Sequence, residues 1–533
     1  MWRTVDGADK TAPYYDAVAD EIRLVDALGA MGLATDLAMG MPLEHALRST
    51  VIAARIARLA GLDEEAATRA YFLCLLMFIG CTADIHFFAA FMGDEHAVRA
   101  KVAPHVYGNV SKMMRAMLSS LGSQESGLAR LSIVMRGLSQ MRSEMETETA
   151  GHCEVAVMLA DRFPLDPTLV DHLTLVYERY DGKGVPGVAR GDAIPAPVRV
   201  MHVARDVDTA RCFGGDDAAI DAVRTHAGAG LDPDFARVFL EAPDKILAGL
   251  NEGSAWPALL DEEPGERPML RGDQIDQALA AMGEFADLKT PFTLGRSRAV
   301  SRRASDAARI AGLSDDEQRR ARRAGSVLDV GRLAVPVLVW ERPGPLTADD
   351  RERVRLHAYH SERLLAHGEL LSPIGSLASL HHERLDGSGY HRACRADAIP
   401  HVGRVLAAAD VYQAMIESRP HRAAMSPGDA ATELRAQAAA GKLDERAVEA
   451  VLATAGYTAA TPDIVSMPAL TEREKDVLLH LSRGLATKQI ARQLGISPKT
   501  VDNHLQSIYP KLGVSTRAAA TLWAARSGIL APG

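Results

Sequence analysis

Residues 470–530 contain four short segments with helical periodicity, separated by turn residues. In the third segment one apolar residue recurs at every helical turn and predicts a single buried face: Val501, Leu505, Ile508 and Leu512. Gly495 supplies a permissive turn before this helix, and Ser497-Pro498 is a helix-start signal. Thr487 is predicted to cap the preceding short helix. Two short helices joined by a glycine turn are typical of a helix-turn-helix, which favours DNA recognition.

The opposite face of the third helix is polar and basic, as a helix in the major groove of DNA requires. The candidate DNA contacts are Lys488, Ser497, Lys499, Thr500, Asn503, His504, Gln506 and Lys511. The basic residues would position the helix on phosphates, whereas the amides would read base edges. Residues 470–530 carry nine Lys or Arg against four Asp or Glu, a net charge of +5 in a chain whose formal charge is −9. Positive charge is therefore concentrated where double-stranded DNA would lie.

This segment resembles the LuxR-type helix-turn-helix family throughout its length. The matching motifs are Leu470-Thr471-Glu472-Arg473-Glu474, Ile490-Ala491, Ser497-Pro498-Lys499-Thr500-Val501 and Lys511-Leu512-Gly513-Val514. The resemblance implies a four-helix DNA-binding domain, and we expect a homodimer that binds paired half-sites. Pro510 is predicted to remove a backbone hydrogen bond to Gln506 and to bend the last turn of the recognition helix.

The length and composition of the chain bound its organisation. At 533 residues the chain exceeds what one core usually holds, so about three domains are expected. An apolar fraction of 47% with 24% charged residues is ordinary for a globular protein. The amino terminus lacks a charged-then-apolar signal, and the longest apolar run, from Tyr71 to Cys81, is about half a membrane span. We therefore expect a cytoplasmic protein without a membrane partner.

An internal repeat precedes the helix-turn-helix. The run YERYDGKGVP at 177–186 matches HERLDGSGYH at 382–391, and Ala-Ile-Pro follows both runs, at 193–195 and 398–400. Three intervals agree: 32 residues from His45 to Met77 and from Arg296 to Leu328, 24 from His152 to Val176 and from His357 to His381, and 29 from Val176 to Arg205 and from His381 to Asp410. The first copy carries an insertion of 46 residues near 100–148. Equal intervals indicate a duplication.

The second copy concentrates side chains that bind metals: Asp329, His357, His381, His382 and Asp410. Imidazoles and carboxylates drawn from several helices are typical of transition-metal sites in helical proteins. An alternative is that these residues only make hydrogen bonds inside a helical bundle. The first copy has Met77, Val176 and Arg205 at matching positions, so it is predicted to be noncatalytic. Its His45 and His152 are interpreted as ordinary core or surface histidines.

Residues 280–420 resemble the HD-GYP group of HD-type phosphohydrolases. The matching motifs are His381-His382-Glu383, Asp386-Gly387-Ser388-Gly389-Tyr390 and Ala409-Asp410-Val411-Tyr412. The resemblance implies a helical metalloenzyme that hydrolyses cyclic diguanylate, with Asp329 as a catalytic residue and Arg332 in place of a catalytic lysine. Its metal ligands would be Asp329, His357, His381, His382 and Asp410. Arg296 and Leu328 stand where the family has histidines, so we expect one divalent transition metal ion, iron or manganese, rather than two.

These patterns predict a mainly α protein with two tandem HD-type helical domains and a four-helix LuxR-type domain. The predicted boundaries are a degenerate HD-like domain at 1–260, an HD-GYP-like domain at 270–455, a linker at 456–469 and a DNA-binding domain at 470–530. The leading hypothesis is a DNA-binding transcriptional regulator whose HD-type domains dimerise or sense a cyclic nucleotide or a metal. The alternative is a metal-dependent cyclic-di-GMP phosphodiesterase in residues 270–455 with an attached DNA-binding domain. A phosphorylated response regulator is disfavoured, because residues 1–150 lack βα repeats.

Overall fold

The computed structural model describes residues 21–82, 85, 94–102, 115–116, 119, 150–251, 253–455 and 470–530. They are mainly helical, as predicted, and the two strands in these ranges, β1 (Glu21–Arg23) and β2 (Met269–Arg271), pair with each other. One compact unit comprises residues 23–270 and 336–338, and a second comprises the remainder. The predicted linker and most of the predicted insertion lie outside the described residues.

The first unit contains the first copy of the repeat. Its helices are α1 (Leu24–Met39), α2 (His45–Leu59), α3 (Glu64–Leu76), α4 (Glu95–Val102), α5 (Pro167–His172), α6 (Ala196–His226), α7 (Pro233–Glu241), α8 (Pro243–Leu247) and α9 (Trp256–Asp261). Residues 150–160 are also helical. Helices α2, α3 and α6 pack against one another around fully buried residues such as Ile52 and Leu73. Gly215, at φ 77°, interrupts α6.

The second copy of the repeat begins after β2. Its helices are α10 (Asp273–Asp287), α11 (Arg296–Ile310), α12 (Asp315–Val327), α13 (Val337–Trp340), α14 (Ala348–Arg355), α15 (His357–Leu364), α16 (Leu371–Ala378), α17 (His401–Ile416), α18 (Pro427–Ala439) and α19 (Glu445–Ala455). Short 3-10 turns at Val330–Ala334 and Ser379–His382 interrupt this helical array. Helix α11 packs on α12, α17 and α19, so its first residue lies at the centre of the domain.

Both copies anchor the start of one helix with a buried carboxylate from the helix before it. Asp36 of α1 accepts a hydrogen bond from the backbone N–H of Ala46, at 3.1 Å, in the first turn of α2. Asp287 of α10 accepts one from the backbone N–H of Ser297, at 2.9 Å, in the first turn of α11. Each carboxylate precedes its amide by 10 residues, and burial raises the pKa of both carboxyls well above the usual range. Matched buried anchors support the predicted duplication.

Residues 470–530 form the four predicted helices: α20 (Glu472–Ser482), α21 (Thr487–Leu494), α22 (Pro498–Leu512) and α23 (Arg517–Ser527). The apolar stripe of α22 faces a core that includes Val477 and Ile490. Ser497 caps α22, because its Oγ accepts the backbone N–H of Thr500 at 3.1 Å. The prediction that Thr487 caps α21 is wrong. The cap position is Ala486, whose backbone N–H donates to Gln489 Oε1 at 2.8 Å, and Thr487 is already helical.

Among the residues that the structure describes, no helix combines the length and apolarity needed to cross a bilayer.

Candidate metal centre and DNA-binding surface

The predicted metal ligands of the second copy meet in the interior of its helical array. Asp329 precedes the 3-10 turn Val330–Ala334, and His357 is the first residue of α15. Gly331 permits this approach, because a Cβ built there would lie 2.0 Å from the backbone oxygen of His357. His381 and His382 occupy the other 3-10 turn, at Ser379–His382. Three elements that are distant in sequence therefore present their side chains to one buried point.

Backbone hydrogen bonds fix the tautomers of two histidines. His381 Nδ1 lies 2.7 Å from the carbonyl oxygen of Ala378, and His357 Nδ1 hydrogen-bonds to the carbonyl of Val354. A carbonyl only accepts, so each Nδ1 carries the proton and each Nε2 presents a lone pair. The two Nε2 atoms are 3.1 Å apart. Burial lowers the pKa of His381 to about 4, so the Nε2 of His381 is unprotonated at neutral pH.

A carboxylate and a third imidazole complete this cluster of acceptors. Asp329 Oδ1 is 3.5 Å from His357 Nε2 and 3.7 Å from His381 Nε2. One ligand atom from each of His357, His381 and His382 lies within 4.8 Å of the others. Burial also lowers the pKa of His382 well below its usual range. Several converging acceptors with fixed tautomers are the arrangement that holds a divalent transition metal in proteins.

Arg296 occupies the other side of Asp329. Its Nε donates to Asp329 Oδ2 at 2.8 Å, its Nη1 donates to Glu417 Oε2 at 2.7 Å, and its Nη2 donates to Asp410. Arg296 is 3% exposed. Burial opposes its charge, but the carboxylates of Glu417, Asp410 and Asp329 outweigh that effect and raise the pKa of Arg296 well above its usual range. One guanidinium thus bridges three carboxylates in the domain core.

Two further guanidiniums balance the charge of these carboxylates. Arg332 Nη1 lies 3.7 Å from Asp329 Oδ2, and its guanidinium stacks 3.8 Å from the centre of the Trp340 ring. Arg419 Nη2 lies 2.9 Å from Glu417 Oε2, and burial lowers the pKa of Arg419 to about 10. The network contains three carboxylates and three guanidiniums: Asp329, Asp410, Glu417, Arg296, Arg332 and Arg419. It is therefore neutral without a metal ion.

The structure brings together most of the predicted ligands, but it separates one from the rest. Asp410 pairs with Arg296, and its second oxygen is 3.8 Å from His382 Nδ1. It therefore lies between the histidine cluster and the guanidinium rather than among the imidazoles. Glu417, which the sequence analysis missed, directly follows α17 and belongs to no recognised motif. Its contact with Arg296 is visible only in the folded structure.

The first copy has a buried polar cluster of its own. His45 Nδ1 lies 2.8 Å from Asp208 Oδ2, and Arg48 Nε donates to Asp208 Oδ1 at 3.0 Å. Cys212 provides the third member of a group whose ligand atoms lie within 4.8 Å of one another. Asp208 was missed because it lies one helical turn beyond Arg205, the position that matches Asp410. Arg48 already neutralises Asp208, which is the only carboxylate of this group, so the group offers little negative charge to a metal cation. His152 lies half-buried in the helical residues 150–160.

The candidate DNA-binding residues share one exposed region of α21 and α22. Lys488, Ser497, Lys499, Asn503 and Gln506 are exposed, and Thr500 and His504 are partly exposed. Lys511 differs from them, because its Nζ lies 2.7 Å from both carboxylate oxygens of buried Glu474. The ammonium therefore stabilises the contact between α20 and α22. Because Glu474 already binds this charge, the structure does not support the prediction that Lys511 contacts DNA.

Comparison with known families supports this description of two parts of the chain. Residues 281–447 match the HD domain family, and residues 468–524 match the bacterial regulatory proteins of the luxR family. A solved structure of a cyclic GMP-AMP specific phosphodiesterase from Vibrio cholerae aligns over 82% of this chain and 98% of its own, with a TM-score of 0.58. The sequence identity is 22%, so this likeness shows the fold alone.

Curated proteins similar to this chain carry phosphodiesterase names, and two of them illustrate the match. The 3'3'-cGAMP-specific phosphodiesterase 3 of Vibrio cholerae is 25% identical over 396 residues, which cover 74% of this chain and 86% of that protein. The cyclic di-GMP phosphodiesterase response regulator RpfG of Xanthomonas campestris pv. campestris is 34% identical over 216 residues. That match covers 40% of this chain and 52% of RpfG. A segment that matches the HD domain family is therefore followed, in the same chain, by one that matches the luxR family of bacterial regulatory proteins.

Proposed function

We propose that the protein is a DNA-binding transcriptional regulator controlled by a cyclic dinucleotide that binds to residues 270–455. The observation that carries this proposal is the position of Arg296 among Asp329, Asp410 and Glu417. Two-metal phosphodiester hydrolysis uses one cation on the attacking oxygen and another on the leaving oxygen. Here the carboxylates that would hold a second cation are already neutralised by guanidiniums. The domain is therefore better suited to binding a phosphodiester than to cleaving it.

One divalent metal fits the remaining ligands. His357, His381, His382 and Asp329 would hold it, since the three imidazoles form one group and Asp329 Oδ1 lies 3.5 Å and 3.7 Å from the Nε2 atoms of His357 and His381. When bound, the metal would polarise a phosphoryl oxygen. An imidazole that binds a metal is neutral, and the carboxylates are balanced by arginines, so one divalent ion would leave an excess of two positive charges. A ligand with two phosphodiesters matches that excess, and two relatives are named for such ligands.

The side chains beside the metal cluster favour binding over turnover. A guanidinium stays protonated, so Arg296 and Arg332 can bind phosphate oxygens but cannot act as a base toward water. Trp340 and the carboxylate of Asp329 also hold Arg332 in place. We therefore expect a cyclic dinucleotide to remain bound and intact for long enough to act as a signal.

The test measures metal content, dinucleotide binding and dinucleotide hydrolysis on the same purified protein. Cyclic di-GMP and 3'3'-cGAMP serve as probes. His381→Ala should lose the metal and the binding, while His401→Ala, on α17 of the same domain, should keep both. Binding without hydrolysis supports the proposal. Metal content that is unchanged in His381→Ala would refute the proposed ligand set.

A second candidate function is a one-metal phosphodiesterase, which the intact histidine cluster favours. This function predicts steady hydrolysis that disappears in His381→Ala. Enzymes commonly turn over at one per second or faster, so product formation at that rate would make the domain an enzyme rather than a sensor. Hydrolysis near the background rate would leave the regulator proposal in place.

The DNA half of the proposal rests on the exposed face of α22. Lys499→Ala should weaken binding to all sequences and lower the salt slope of the affinity by about one, because one phosphate contact is lost. Asn503→Ala should relax sequence preference at one base pair, at a cost of about 1–3 kcal/mol. The matched control is Lys475→Ala, since Lys475 pairs with Glu472 on α20 at 2.7 Å. Equal affinities for all these variants would show that another face binds DNA.

A further inference from the structure

Helix α23 of the DNA-binding domain is held by the end of α10 and the start of α11. Arg526 donates through Nε at 2.9 Å and Nη2 at 2.7 Å to Glu284 Oε2. Arg298 donates through Nη2 to Glu284 Oε1 at 3.1 Å and through Nη1 to the backbone oxygen of Arg526. Glu284 is 8% exposed, so these ion pairs are screened less by salt than surface pairs are. We call Glu284, Arg298 and Arg526 the latch.

Apolar side chains pack beside the latch. Leu288 and Leu294, which flank the α10–α11 connection, face Leu522 and Ala525 of α23 across a narrow crevice. Leu288 and Leu522 are 3% and 1% exposed. The contact thus combines charge pairs around the buried carboxylate of Glu284 with apolar surface. This combination gives α23 one defined orientation on the HD domain.

The same corner of the HD domain carries part of the proposed ligand site. Arg296 and Arg298 are two residues apart in the first turn of α11, and side chains at that separation point to different faces of a helix. Arg296 contacts the site carboxylates, while Arg298 contacts the latch. On α10, Glu284 holds the latch and Asp287 holds Ser297 through its N–H and Oγ, both at 2.9 Å. A shift of the first turn of α11 would therefore change both the contacts of Arg296 in the ligand site and those of Arg298 in the latch.

We propose that this corner couples ligand binding to DNA binding. Phosphate groups in the site would compete with Asp329, Asp410 and Glu417 for Arg296 and so move the first turn of α11. The hydrogen bonds of Arg298 and Glu284 with Arg526 would then rearrange, and the DNA-binding domain would change its orientation. The closed latch leaves Lys499 and Asn503 exposed, so the proposed coupling does not require these side chains to be covered. This inference rests on the proposed function, since it requires the site to bind an anionic ligand.

The test compares the DNA affinity of the full chain with and without cyclic di-GMP or 3'3'-cGAMP. The DNA is a duplex selected by the wild-type protein from a random-sequence library. Wild-type protein should show a change of about fivefold or more in Kd, the lower range of allosteric couplings. Glu284→Gln and Arg526→Gln should bring the ratio of the two Kd values close to one while the dinucleotide still binds. Glu449→Gln, which breaks the exposed pair with Arg435, is the matched control and should keep the wild-type ratio.

The possible outcomes separate failure of the latch from failure of the proposed function. If dinucleotides leave the DNA affinity of the wild-type protein unchanged, the proposed function fails, and the coupling fails with it. If the wild type responds and both latch variants respond equally, the latch is overturned while the proposed function stands. Arg526→Gln is the milder variant should Glu284→Gln unfold, because Arg298 still donates to Glu284 Oε1 at 3.1 Å. Linkage requires that DNA change dinucleotide affinity by the same factor, which offers a second readout.

Discussion

Replacing Arg296 by alanine tests whether the guanidinium stands in for a metal ion. Arg296 is 3% exposed and pairs with three carboxylates. Removing one partner of a buried ion pair costs about 3–5 kcal/mol, because the other charge stays buried and unpaired. The three pairs share one cation, so their losses do not add and the same range applies to all of them. At about 2–4 °C per kcal/mol, the unfolding transition of this domain should fall by about 6–20 °C.

The same substitution should create a second cation site. Asp329, Asp410 and Glu417 would be left close together without their guanidinium, and Mn²⁺ prefers such carboxylates. A metal present at 100 times its Kd stabilises a protein by about 2.7 kcal/mol. Manganese should therefore restore much of the stability that Arg296→Ala loses, and it should raise the transition of the variant more than that of the wild type.

Differential scanning calorimetry, with chelator and then with manganese, measures both effects. Arg302→Ala is the control, since Arg302 is exposed on the same helix and its removal should change stability by less than about 0.5 kcal/mol. The prediction is wrong if, in chelator, Arg296→Ala unfolds at the same temperature as the control Arg302→Ala. It is also refuted if manganese stabilises the variant no more than it stabilises the wild type.

Further predictions concern the geometry of the site and the stability of the DNA-binding domain. Gly331→Ala should lower metal content, because its Cβ would lie 2.0 Å from the backbone oxygen of His357; metal analysis of the purified variant checks this. A hydrogen bond from Lys511 lowers the pKa of Glu474 to about 2, from an ordinary value of 4.5. Its contribution is complete above pH 4.5 and is lost as the pH falls toward 2, so denaturation of the DNA-binding domain should be less acid-sensitive in Glu474→Gln. Ser497→Ala should cost about 1 kcal/mol of stability and Ser497→Gly only a few tenths, as urea unfolding would show.

Sequence periodicity and motif spacing predicted the parts of the fold that depend on local signals. The four helices of residues 470–530 follow their caps and apolar stripe, and the family comparison confirms this domain. The group formed by His357, His381 and His382 was also predicted, from the interval of 24 residues that the two copies share and from the resemblance to the HD-GYP group. The helix caps and the apolar stripe depend on residues close to one another in sequence.

The sequence analysis missed the ion pairs that form between residues far apart in the chain. A lysine on the recognition helix is typical of a phosphate contact, yet the ammonium of Lys511 pairs with buried Glu474, which lies 37 residues earlier in the chain. Glu417 reaches Arg296 across 121 residues and has no motif of its own. Asp208 meets His45 across 163 residues, one helical turn past the position that spacing marked. In each case the two charged groups meet only when the helices pack. Their spacing along the chain therefore does not predict the ion pair.

The most direct test of the central claim follows DNA binding and dinucleotide integrity in one sample. Fluorescence anisotropy of a selected duplex would be measured while cyclic di-GMP or 3'3'-cGAMP is titrated into the metal-loaded protein, and chromatography would then determine how much dinucleotide remains. The account predicts a change of about fivefold or more in DNA affinity with the dinucleotide still intact. Unchanged DNA affinity, or dinucleotide consumed at about one turnover per second, would contradict it.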